Sequence, residues 1–191
     1  RDFHFHGDLA LRYLGEHFGE NGVRSFLTDY VNNFYSPLLE DAKKRGLVAI
    51  QEWIQRLYTV EEAEDLLQCT LEGDTLTVKI SESPAIRHLR ATGTEPCVYY
   101  IEQTRTLYSA MADSLGLSFN LNYYDDTGKA EFTIAKRKYA GGGSDEKQGR
   151  IYHEDPQVSG INRYITYPRW LTNGGVFMPR RESLDKTVKK E

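Results

Sequence analysis

The stretch Leu117–Arg137, LSFNLNYYDDTGKAEFTIAKR, decides the fold class. Leu117, Phe119, Leu121 and Tyr123 alternate with other residues, so an extended backbone places all four on one face. Phe132 and Ile134 answer them beyond Asp126-Thr127-Gly128, a turn composition in which glycine takes the left-handed conformation. The spacing predicts a hairpin with strands over 117–124 and 129–137. An isolated hairpin is unstable in water, so its apolar face needs a cover. Upstream, CTLEGDTLTVKISES (69–83) repeats the period: Leu76, Val78 and Ile80 alternate with Thr75, Thr77 and Lys79. This predicts a strand over 76–80, entered through a Gly73-Asp74 turn.

The cover is helical. Asp8 reads as the cap of a helix through LALRYLGEHF, interrupted at Gly19 and Gly22. VRSFLTDYVNNFY then places Val23, Phe26, Leu27, Tyr30, Val31 and Phe34 on one apolar stripe. Ser36-Pro37 opens a third helical run and Gly46 stops it. LVAIQEWIQRLY is amphipathic, and Thr59-Val60-Glu61-Glu62 matches a capping box for a short helix. SPAIRHLRATG is a short helix with Ser83 as cap and Gly93 as stop. Pro96 begins the longest expected helix, closed at Gly116. Helices, strands, helices and a final hairpin predict an α+β domain, its helices packed on one face of a small antiparallel sheet.

The chain has 191 residues, 39% hydrophobic and 27% charged, which supplies a real core and argues against global disorder. A net charge of -4 lacks the basic excess of a nucleic-acid binder, so no nucleic acid is expected as a partner. No apolar run is long enough to span a bilayer, so no membrane is expected either. Only Cys69 and Cys97 are present. No disulfide between them and a cytoplasmic, reducing location are the expectations. The domain is expected over residues 1–138. Residues 139–191 begin with the linker-like YAGGGSDEKQG and continue as an arm carrying Tyr152, Tyr164, Tyr167, Trp170 and Phe177 without a periodic stripe. The arm, from 150 to 191, is expected to lie on another copy of the chain or on a partner subunit.

Complete catalytic signatures are missing. Gly141-Gly142-Gly143 has no following Lys-Ser/Thr, and no nucleophile elbow or Ser-x-x-Lys occurs. The chemistry-bearing residues are scattered. In RDFHFHGD, a helix would stack His4 on Asp8 and turn His6 away, whereas a strand would put His4 and His6 on one face. Either arrangement suits an acid/base pair or part of a metal site, though no zinc spacing is present and no metal or cofactor is assigned. Simple helix capping with solvated histidines is the competing reading. Cys97, near a helix start, has the position of an activated thiol, but Cys97, Ile101, Thr104, Tyr108, Met111 and Leu115 share helical spacing, which makes it a core residue. Glu102 and Arg105 lie one turn apart and pair with each other, with Tyr99 on the same side. His88 sits between Arg87 and Arg90 as either a half-buried structural histidine or a pocket residue.

The blocks DFHFHGDLAL, NNFYSPLLEDAKKRG, SPAIRHLRATG, EQTRTLY and NYYDDTGKAEF, in that order, resemble the L-2-amino-thiazoline-4-carboxylic acid hydrolase family over residues 3–137. The matching positions are His4, His6, Asp8, Pro84, His88, Glu102 and Thr104. The resemblance implies hydrolysis of a non-peptide C–N bond in a small, carboxylate-bearing heterocycle. Relatives place a cysteine just before the proline of the third block, where this chain has Ser83; if that cysteine is the family nucleophile, this chain has lost the thiol chemistry or uses another route. Such a reaction needs a base, a proton donor and a cation. The expected catalytic set is His4, His6, His88 and Glu102. The expected substrate-binding set is Arg87, Arg105 and Tyr99, with Arg90 a further cation. The alternative is a non-catalytic ligand-binding module or an accessory subunit that assembles through its arm. Convergence of the histidines and Glu102 in one concave pocket would separate the two.

Overall fold

Gly19, with φ 67° and ψ -172°, is non-helical and kinks the first helix into two halves. The computed structural model describes residues 2–137, and the expected arm lies outside them. The elements are α1 (Asp2–Phe34, kinked at Gly19), α2 (Ser36–Arg45), α3 (Leu47–Val60), β1 (Leu67–Glu72), β2 (Thr75–Ile80), α4 (Pro84–Ala91), α5 (Glu102–Ser114), β3 (Leu117–Tyr124) and β4 (Ala130–Lys136). Glu64–Leu66 form one 3-10 turn before β1. This is an α+β fold: five helices pack with a four-stranded antiparallel sheet of order β1-β2-β4-β3.

The two hairpins of the sequence join through β2 and β4, where Val78 faces Phe132 and Leu76 faces Ile134. These four side chains are fully buried. Together with Ile50 and Ile54 of α3, Met111 of α5 and Val31 of α1 they form the main core. Burial of each such side chain is worth about 1.5–3 kcal/mol. A second cluster sits away from the sheet: Leu11, Val23, Leu27, Ile86, Leu89, Cys97 and Tyr100 join the two halves of α1 to α4.

Several expectations are corrected. Asp8 caps no helix of its own, because α1 starts at Asp2. It is buried inside α1, where its Oδ1 accepts the Cys97 N–H (2.6 Å) and its Oδ2 accepts from Arg12 (3.0 Å). The helix beginning near Pro96 is instead a set of turns, and α5 starts at Glu102; α1 is longer. Glu61 and Glu62 open no helix: Glu61 caps the end of α3, and Glu62 takes a left-handed φ of 54°. Tyr123 does not share the core face of Leu121. Leu121 faces Phe132 and Tyr123 faces Glu131, so Asn122 is an extra residue in β3. This bulge inverts the alternation, leaving Tyr123 47% exposed and packing Tyr124 on the core. Ser83, by contrast, caps α4 as expected, its Oγ accepting from the Ile86 N–H (3.3 Å).

Candidate functional site

The start of α1 crosses the C-terminal end of α4. Helical geometry turns His4 and His6 about 200° apart, so they do different things. His6 is exposed and, with Phe5, forms one wall of a cleft of ≈ 220 Å³. His88, half-buried on α4, and Thr92 and Thr94, on either side of the left-handed Gly93, form the other. His4 points inward. Its Nε2 is 3.1 Å from Glu61 Oε1, and its ring lies 6.1 Å from the His88 ring at 59°. Three histidines therefore meet at one crossing, with one carboxylate orienting the innermost.

Glu102 is not among them. Its carboxylate, 1% exposed, accepts from Arg24 (Nε, 3.3 Å), Arg105 (2.9 Å) and the Thr106 hydroxyl. It holds the Arg24 guanidinium pKa above its ordinary value, chiefly through their hydrogen bond. This cluster ties α1 to α5 and leaves no lone pair facing the cleft. Arg105 is engaged there, 4.0 Å from Glu20 as well. Tyr99 lays its ring against Gly15, where an added Cβ would lie 1.9 Å from the ring. Arg87 is exposed and paired with Glu82 (2.7 Å), and Arg90 with Glu95 and Asp126 (3.1 and 3.3 Å). Pro84 opens α4, and Thr104 lies half-buried on α5. The expected sets thus divide: His6 and His88 share the cleft, His4 adjoins it, and Glu102, Arg105 and Tyr99 belong to structural contacts elsewhere.

Sequence reasoning missed Glu61, Phe5, Thr92 and Thr94. Thr92 carried a signal, standing one helical turn after His88. Glu61 carried none, because its partner is 57 residues away. Among the described residues no group of three or more His, Cys, Asp or Glu side chains is arranged to hold a metal ion.

Both cysteines are free. Burial, with the Asp8 carboxylate beside it, pushes the Cys97 thiol up to about 11; burial does the same to Cys69. A thiol at that value is not a nucleophile at neutral pH. Iodoacetamide at pH 8 is expected to leave both cysteines intact in the folded chain and to label both in denaturant. Rapid native labelling of Cys97 would refute this. The sign for stability follows from linkage. The unfolded chain loses these protons near the ordinary 9.0 and the folded chain near 11, so their contribution is complete below pH 9 and falls as pH rises towards 11.

No protein-family model matches the chain, and no curated protein or solved structure matches it either. Among the described residues no helix is long and apolar enough to cross a membrane.

Proposed function

We propose that the chain is a hydrolase acting on a non-peptide C–N bond of a small, carboxylate-bearing heterocycle of the thiazoline, cyclic-amidine type, working in a cytoplasmic setting. One observation carries the reading: His6 and His88 line the same ≈ 220 Å³ cleft, with the Glu61-oriented His4 beside them. Imidazoles titrate near neutrality and serve as base in one step and acid in the next. His88 takes a proton from water as its oxygen bonds to the C=N carbon, and the π pair moves to the ring nitrogen, which takes a proton from His6. His6 then takes the proton of the new hydroxyl as the C=O forms, and His88 returns its proton to the ring nitrogen as the C–N bond breaks. His4, held by Glu61, fixes the position of His88. The Thr92 hydroxyl donates to the Leu89 carbonyl (2.8 Å) and keeps its lone pairs for a ligand. The substrate carboxylate is met by Arg87 once it leaves Glu82.

A second reading, the non-catalytic ligand-binding or accessory subunit, is favoured by the exposed Phe5, Leu9 and Tyr13, 46%, 52% and 54% accessible at four-residue spacing on α1.

The test is ring opening of 2-amino-thiazoline-4-carboxylate, followed as the gain of one water by mass spectrometry. The His88→Gln and His6→Gln variants are expected to lose about 10²–10⁴-fold in kcat with unchanged thermal midpoints. Full activity in His4→Gln, His6→Gln and His88→Gln alike overturns the proposal. A parent without ring opening, whose number of chains per particle in light scattering falls when residues 139–191 are removed, selects the second reading.

A further inference from the structure

A larger cleft, of ≈ 590 Å³, lies at the end of the sheet where β1 and β4 begin and β2 and β3 end. The hydrolase proposal does not use it. Its outer rim is one cross-strand row: Gln68 faces Lys79, Lys79 faces Glu131, and Glu131 faces Tyr123. Leu67, Ile80 and Ala130 form its apolar side.

Tyr123 reaches this rim only because Asn122 is an extra residue. Without the bulge its ring would point to the core, and the ladder would be regular. The ring is then fixed in place. Asp125 accepts from the Tyr123 hydroxyl (2.8 Å) and from the Lys129 N–H (3.1 Å), binding the two rim residues into one turn. Lys129 Nζ lies 5.7 Å from the centre of the Tyr123 ring. Lys79 is neutralised by Glu131 at 3.4 Å. Lys129 has no carboxylate partner among the described residues, so its charge is available to a ligand. Asp65, the other acid of the cleft, precedes β1, two strands from β4, which is about 10 Å across the sheet.

We propose that this cleft binds a small aromatic carboxylate. The carboxylate meets Lys129, and the ring packs on the edge of Tyr123 and against the Ala130 side of the cleft. An aromatic side chain re-aimed by a bulge, an uncommitted cation held beside it by a shared aspartate, and an apolar wall supply the parts such a ligand requires.

The test uses the full chain labelled with ¹⁵N and benzoate as the probe, with acetate and benzyl alcohol as controls for the charge and the ring. Benzoate is expected to shift the amides of 66–68, 79–81 and 129–131 saturably, and each control at least tenfold more weakly. Lys129→Gln and Tyr123→Leu are expected to weaken benzoate at least tenfold while leaving the rest of the spectrum in place. The proposal is overturned if the controls bind as well as benzoate, if neither variant changes binding, or if the shifts fall on His6, His88, Thr92 and Thr94 instead.

Discussion

Glu102→Ala is expected to lower the unfolding free energy by about 2–4 kcal/mol, read from the denaturation midpoint. The carboxylate is buried between α1 and α5 and accepts from two guanidiniums and a hydroxyl. Both guanidiniums are 42–43% exposed and return to water when the carboxylate is removed. Their share of the loss is therefore small. The larger share comes from the buried Thr106 hydroxyl left without its acceptor, and from the cavity. Glu102→Gln keeps an acceptor for Thr106 and is expected to cost clearly less. The cluster is separate from the histidine cleft, so the folded fraction of either variant is expected to retain its turnover. A kcat loss in Glu102→Gln at unchanged midpoint would return Glu102 to the chemistry.

Gly128→Ala is expected to cost about 2–4 kcal/mol. Gly128 has φ 73°, and an added Cβ would meet Ser83 Cβ at 2.4 Å and Ile86 Cδ1 at 2.9 Å. The Ser83 N–H also donates to the Thr127 carbonyl (3.1 Å), so the β3–β4 turn is seated on the start of α4 and cannot step back. Gly73 is the internal control. Its φ is 55° and nothing lies within 4 Å of an added Cβ, so Gly73→Ala pays the backbone strain alone, about 1 kcal/mol. Equal midpoint shifts for the two variants would show that the turn does not press on α4. Ser83 thus has a packing role: its Cβ touches Gly128 and its Oγ caps α4.

What was legible in the sequence was local. The alternation of Leu76, Val78, Ile80, Phe132 and Ile134 predicts strands, and these side chains form the sheet's buried face. Ser83 and Gly93 bound α4, and Gly46 ends α2, because a cap or a left-handed glycine acts within one helical turn. Asp8 shows how the same local rule misleads. It has the composition of a cap, and it does satisfy a backbone N–H, but that N–H belongs to Cys97, 89 residues further on. Tyr123 misleads for a different reason. A one-residue bulge leaves the composition of β3 untouched and reverses every later side chain.

The sequence by itself determined the α+β class, the two hairpins, the apolar faces and the set of titratable residues, since each depends on periods of two or of three to four residues. Tertiary structure alone decided that β2 pairs with β4, that His4 meets Glu61, that His6 and His88 share a cleft, and that Glu102 is spent on Arg24, Arg105 and Thr106. Several of these partners lie 57 to 82 residues apart, and an ion pair or a shared cleft leaves no period in the chain. The closure of the two cores, not the spacing of the residues, selects which charges meet.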